Sequence, residues 1–320
     1  MEQLLSNEKP KVAIKSIADV TKETLKYIDD RRKHKIVSLK TRWKKFNKVC
    51  FFEPNMIYTV AGTSGAGKSA FVNTITNDLI DLNPSQDIVI LNFSFEMISY
   101  RNVGRILSNK LRMTTNELYS SENDVSDITY TDIENTAQTL KDKHIYFIDT
   151  PMSVGEMEET INYFHETVAK GKWLVVVLDH ALLVEGDSER GTLIDLQKMF
   201  IRAKKLSKTC IIQISQMNRN IETPERINNP VTHFPMRSDL AASDAIFQAS
   251  DYVLAIHRPE LLHLQFYGVN RLPVKNKVYL HLLKVREGEP CILSFENELK
   301  YGDLIETTVE TANKKVVFNK

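Results

Sequence analysis

The chain has 320 residues, which suits one large α/β domain with an extension better than two full domains. Its composition is ordinary, and a net charge of +1 gives no general attraction for nucleic acid, so any such contact must come from local patches. Three scattered cysteines, Cys50, Cys210 and Cys291, lack metal-ligand spacing and read as reduced, intracellular residues.

The first eight residues, Met1 to Glu8, do not read as a signal peptide. The longest apolar run, Trp173 to Leu178, is far too short to span a membrane, and a cytoplasmic protein without membrane contact is expected. Residues 1–18 have mixed polarity and are expected to form a loose arm. Residues 19–37 have helical spacing, with Leu25 and Ile28 beside the basic Arg31, Arg32 and Lys33. A second basic cluster follows, Lys40-Thr41-Arg42-Trp43-Lys44-Lys45. It reads as a solvated connector, or as part of a linker that packs on a neighbouring subunit. One tryptophan among basic residues could also touch nucleic acid.

Next comes Gly62-Thr63-Ser64-Gly65-Ala66-Gly67-Lys68-Ser69, a glycine, four residues, then Gly-Lys-Ser. This is the P-loop pattern. The apolar, β-prone Met56 to Ala61 precedes it, and Ser69 to Ile75 follows with helical spacing. Strand, glycine loop and helix together make a phosphate cradle. Glycines let backbone N–H groups converge on an anion, and the helix aims its positive dipole end at the same point. Lys68 supplies a point charge for the β- and γ-phosphates, and Ser69 a hydroxyl for Mg²⁺.

Ile88 to Phe93 reads as a buried strand that ends in Ser94-Phe95-Glu96-Met97. A carboxylate just past a core strand lies on the ligand side of a parallel sheet, where Glu96 could orient a water toward the γ-phosphate. The other reading makes Glu96 an acid stabilising the start of the helix at 98–111. Residues 113–141 read as short helices, 145–149 as a strand and 156–170 as a helix. Trp173 to Leu178 is a strand closed by Asp179, a Walker B arrangement in which Asp179 would hold Mg²⁺ through water, opposite Ser69. His180, just after it, reads as a packing residue.

A helix over 192–208 leads to the strand Cys210 to Ser215, which ends in Gln216-Met217-Asn218-Arg219. An amide at this strand end can sense a γ-phosphate and pass its presence to a loop. The loop 220–237 is long and polar, as functional loops are. A helix over 238–250, a strand over 252–257 and a hairpin around Glu287-Gly288-Glu289-Pro290 complete the pattern. Alternating strands and helices predict an α/β domain with a mainly parallel central sheet flanked by helices.

These motifs, in this order, make the chain resemble the RecA-like motor domain of DnaB-type replicative helicases, from about residue 37 to 306. The resemblance rests on Gly62–Ser69, Ser94–Met97, Val177-Leu178-Asp179, Ser215–Arg219, Ser238-Asp239-Leu240 with Gln248 and Asp251, and Lys284-Val285-Arg286. It implies an arm and linker helix over 1–45, a RecA-like P-loop motor over 46–306 and a polar tail over 307–320. It further implies ATP and Mg²⁺ as cofactors, a homo-hexameric ring, single-stranded DNA as the track, and a primase or loader as partner. Glu96 becomes the catalytic base and Gln216 the γ-phosphate sensor. Lys284 and Arg286 would reach into the next subunit's nucleotide; such a finger is worth roughly 10³–10⁵ in rate in other nucleotide hydrolases. The family's N-terminal helical domain is expected to be missing, as in a phage or mobile-element helicase. An alternative is an ATPase of this fold acting as a loader, recombination factor or regulatory module.

One stretch departs from the family. After Ser-Asp-Leu the family carries an Arg, a Glu and a Gly that help hold DNA; here stand Ala241-Ala242-Ser243-Asp244. An added acid repels phosphate. Arg237 is expected to compensate, with Arg219, Arg226 or the basic N-terminal region.

Overall fold

The computed structural model describes residues 14–119, 121–122, 124–240 and 243–307, the side chain of Ser243 excepted. The polar tail expected over 307–320 therefore lies, apart from Thr307, outside the described residues, as do most of the arm and Ala241 and Ala242. The chain forms two units, residues 1–38 and 39–320.

In the first unit, α1 spans Ile17–Arg32. Ser16 caps it by accepting from the Asp19 N–H, and Arg31 and Arg32 sit in its last turn, where the helix dipole favours cations. It stops short of the expected Val37, because His34 takes a left-handed φ of 55°.

The second unit begins at Leu39. Leu39, Thr41 and Trp43 are buried and alternate with exposed Lys40, Arg42 and Lys44. Trp43 stacks on Phe71 at 4.7 Å and donates through Nε1 to Leu304 O at 2.8 Å. It is a core residue and offers no face to nucleic acid. A short helix, α2, follows at Phe46–Val49.

From there the chain alternates: β1 Ile57–Gly62, α3 Lys68–Asp81, β2 Ile88–Ser94, α4 Ser99–Leu111, α5 Thr115–Tyr119, α6 Asp127–Gln138, β3 Ile145–Ile148, α7 Val154–Glu166 and β4 Trp173–Asp179. It continues with α8 Glu189–Ala203, β5 Thr209–Gln216, α9 Pro224–Ile227, α10 Ser243–Ala249 and β6 Tyr252–His257. The last strands are β7 Lys277–Val285, β8 Cys291–Glu298 and β9 Asp303–Glu306. The described strands form one sheet in the order β3-β2-β4-β5-β1-β6-β7-β8-β9. The pairs from β3 to β6 are parallel, and β7, β8 and β9 add antiparallel. This is the expected α/β, RecA-like fold. The β7–β8 hairpin stands where the sequence placed it, and β9 is an addition.

The parallel strands β1, β2, β4 and β6 are buried along their whole length, as strands covered on both faces are. One face packs α3 and the Trp43 region through Phe71, Ile75 and Leu79; the other packs α7 and α8 through Met157, Leu196 and Phe200. Burying each such side chain contributes roughly 1.5–3 kcal/mol. A buried polar chain pins the centre: Gln197 and Gln213 exchange amide bonds of 2.9 Å, and Gln213 donates to Thr59. The core therefore fixes the parallel strands in register and brings their C-terminal ends to one edge, where ligands bind in such sheets. No helix among the described residues is long and apolar enough to cross a membrane.

Candidate active site

The loop after β1 turns through Gly65 at φ 72° and Gly67 at φ 100°, conformations that side chains rarely adopt. Gly62 must lack a Cβ for a different reason: that atom would lie 2.7 Å from Ile256 O on β6. Gly67 caps α3, and Lys68 is its first residue. The Lys68 ammonium rests on the loop's own carbonyls, Gly62 O at 3.0 Å and Thr63 O at 2.9 Å. Burial lowers its pKa from the ordinary value, while Asp179 and Glu96 act to raise it.

Adjacent strands bring the acids to the same place. Ser94 of β2 pairs with Asp179 of β4, and the Phe95 and Glu96 N–H groups both donate to Asp179 O, at 2.8 and 3.3 Å. Ser94 Oγ donates to Met97 O, and Asn102 of α4 donates to Ser94 Oγ at 2.6 Å, which fixes the turn carrying Glu96. Glu96 is exposed. It does not cap α4: Asp149, just past β3, accepts from the Ser99 N–H at 2.9 Å and the Ser99 hydroxyl at 2.7 Å. The helix-cap role falls to another residue, and the Glu96 carboxylate is left to the cavity.

That cavity, of about 560 Å³, is lined by Lys68, Ser69, Glu96, Arg105, His180 and Gln216 among others. The Asp179 carboxyl lies behind it. Burial raises its pKa, while the Ser69 hydroxyl pulls it down; nearby Glu96 raises it further and Arg105 lowers it. Its Oδ1 is buried without a partner. Such an orphaned anion suits a hydrated divalent cation, which would satisfy it and compensate its charge. The glycine cradle, the ammonium resting on loop carbonyls and this orphaned oxygen fit a magnesium–nucleoside triphosphate.

Three polar lining residues were not placed here from the sequence. Arg105 stands on α4 three residues after Asn102, hence on the face turned to the end of β2, and has no hydrogen bond or ion pair among the described residues. Arg258, just past β6, donates to Gly65 O at 3.0 Å, and its buried Nε is unpartnered. His180 bonds to Gln216 at 2.9 Å rather than simply packing.

With this geometry established, residues 38–302 match the family described as the DnaB-like helicase C terminal domain. The chain belongs to this family. It is 25% identical over 257 residues to the replicative DNA helicase DnaB of Buchnera aphidicola subsp. Baizongia pistaciae, covering 78% of this chain and 53% of that one. With DnaB of Rickettsia conorii it shares 26% over 226 residues, 67% of this chain and 44% of the relative. The chain thus spans about half the length of the curated relatives it matches. In fold it is similar to a solved ATPase domain, with a TM-score of 0.77 at 16% identity, covering 91% of this chain and all of that domain. A DnaB-like replicative helicase, solved in a study of its interactions with primase, gives a TM-score of 0.74 at 17% identity, covering 92% of this chain and 68% of that one.

Against this family fold, the remaining sequence-predicted residues separate into two groups away from the cavity. Lys284 pairs with Val253, level with Thr59, so it lies about 10 Å short of Gly62 along the strands. Arg286 lies beyond it, at the opposite edge of the sheet from this chain's own P-loop. Arg286 pairs with Asp251, which also holds Lys204 at 2.7 Å and the Ile57 N–H at 2.8 Å. Lys284 donates to Phe247 O at 2.7 Å.

The second group lies in the loops after β5. Asn218 N–H donates to Asp239 O at 2.7 Å, and Met217 bridges Leu240, so the Arg219 turn and the Arg237 turn are tied together. Arg219 is exposed. Arg237 pairs with Asp244 at 2.8 Å and lies over the Phe247 ring at 4.6 Å. Arg226 is turned inward. It pairs with buried Asp239 at 2.6 Å and donates to Thr232 O and Phe234 O, which ties all three guanidinium nitrogens to the loop, with the side chain only 11% exposed.

Proposed function

We propose that this chain is the motor of an ATP-driven hexameric helicase that moves on single-stranded DNA and unwinds duplex during replication. The observation that carries the reading is the convergence of Lys68, Ser69 and Glu96 on one cavity at the C-terminal edge of the sheet, with Asp179 next to Ser69 behind it and α4 capped by Asp149 instead of Glu96. The bound nucleotide would supply the γ-phosphoryl group, and its magnesium ion a Lewis acid that draws charge from it.

The chain's own residues divide the remaining work. The P-loop N–H groups and Lys68 hold the phosphates. Asp179 and the Ser69 hydroxyl hold the hydrated cation. Glu96 orients a water and takes its proton. Arg105 adds a positive charge from the same subunit, facing the two acids across the cavity. Gln216 turns an amide toward the γ-phosphate, and Met217 carries its position to the loops bearing Arg219 and Arg237, the two candidates for DNA phosphate.

Lys284 and Arg286 act on a neighbour's nucleotide, a role their distance from their own P-loop favours. α1 favours a ring too: it exposes Ile17, Leu25 and Ile28 along one face, at 82%, 62% and 56%, as a helix that packs on an adjacent subunit would. A primase or loader is the expected further partner, and the cytoplasm the expected site of action.

The pairing of Arg237 with Asp244 favours a second reading, an ATPase of this fold that serves as a loader or regulatory module without unwinding. Both readings require hydrolysis at Glu96. Lys68→Ala should abolish productive ATP binding, whereas Glu96→Gln should bind ATP and lose turnover by about 10²-fold or more. Near-normal turnover in Glu96→Gln would remove Glu96 as the base.

A further inference from the structure

The mechanism above makes no use of His180, although it is 7% exposed and bonded through both ring nitrogens. The Leu182 N–H lies 3.2 Å from Nδ1. A backbone N–H can only donate, so Nδ1 accepts and carries no proton, and the neutral ring has its proton on Nε2. Nε2 is 2.9 Å from Gln216 Oε1. The amide oxygen accepts, and the amide NH₂ is the end left over. Amide orientation is often ambiguous, but here it follows from a donor whose identity is fixed. No other hydrogen bond reaches the Gln216 side chain among the described residues, so His180 alone decides which end of the amide meets the cavity they both line.

We propose that His180 is a positioning residue that turns the Gln216 N–H donors toward the γ-phosphate, so that the site prefers a nucleoside triphosphate to a diphosphate. The proposal rests on the nucleotide reading of the cavity. Without the ring, the amide can rotate and present its oxygen, which repels a phosphate oxygen as strongly as the N–H attracts it. The link also ties the end of β4, which carries Asp179, to the end of β5, which carries the sensor.

Two substitutions separate the ring's two bonds. His180→Asn keeps an oxygen where Nδ1 accepts from Leu182 but is too short to reach Gln216. His180→Gln places an amide N–H where Nε2 donates and gives up the Leu182 bond. Equilibrium binding of ADP and of the non-hydrolysable β,γ-imido analogue of ATP, both with Mg²⁺, is measured on the full chain. The parent and His180→Gln should keep a preference for the triphosphate. His180→Asn should lose about tenfold of it with ADP affinity unchanged, the effect of one hydrogen bond to a charged group. Gln216→Ala should lose the same preference, and the His180→Asn/Gln216→Ala pair should lose no more than either alone.

A His180→Asn protein that keeps the parent's preference overturns the proposal. So do additive losses in the pair, or a His180→Gln protein as impaired as His180→Asn; a residue that merely caps its own turn would spare His180→Asn, which keeps the Leu182 bond, and impair only His180→Gln. A parent that binds neither nucleotide fails the nucleotide reading itself, whereas a parent that binds both but is unaffected by His180→Asn fails only this inference.

Discussion

Arg237 and Asp244 set the strength of the proposed DNA contact between them. Their side chains are 50% and 76% exposed, so the pair contributes no more than about 1 kcal/mol and a DNA phosphate can replace the acid. Arg237→Ala should weaken single-stranded binding equally for all sequences and reduce its salt dependence by roughly one charge. Asp244→Gly should tighten binding by freeing the guanidinium. If both variants bind like the parent, the 237–244 segment does not line the DNA path. Residue roles were unevenly legible in the sequence. Lys68 and Ser69 were readable because the P-loop fixes them by spacing alone. Arg105 was not: its role depends on the turn that Ser94 and Asn102 hold between β2 and α4, a tertiary contact with no mark in the sequence. Arg226 misled in the opposite direction, since its partner Asp239 is thirteen residues away across a loop.

At the scale of the element, the antiparallel strand β7 joins the proposed finger to the proposed DNA loops. Lys284 bonds to α10 and lies over the Phe247 ring at 5.2 Å, on which Arg237 also rests. Arg286 is held by Asp251 and must leave it to reach a neighbour's nucleotide. If it acts on a neighbour, then mixing Arg286→Ala subunits with Lys68→Ala subunits should restore part of the ATPase activity that each lacks. Some interfaces then combine an intact P-loop with an intact finger. No recovery on mixing, with both variants folded and assembled, would place Arg286 outside the reaction. The main parallel strands were legible as apolar runs closed by polar residues. The edge was less so. β9 is four residues, Asp303–Glu306, with acids at both ends, and it is a strand because β8 offers a partner. The stretch from Leu39 to Lys44 alternates buried and exposed residues, yet its charges outweighed that period in a reading by composition.

For the whole molecule, the decisive feature is that the proposed nucleotide site and the proposed finger occupy opposite edges of one sheet. A single copy cannot bring them together, while a ring of copies repeats the contact at every interface and closes. The mainly parallel sheet followed from the alternation of strands and helices; the order of its strands did not. Assembly did not either, because α1 shows an apolar face without showing what covers it. ATP hydrolysis alone would fit a loader as well as a motor.

Displacement of a labelled strand from a forked duplex reads whether hydrolysis at this site separates strands. With ATP and Mg²⁺, the parent chain is predicted to release the strand, and Glu96→Gln to bind the fork without releasing it. A parent that hydrolyses ATP on the same fork at an undiminished rate while releasing no strand is an ATPase but not a helicase motor.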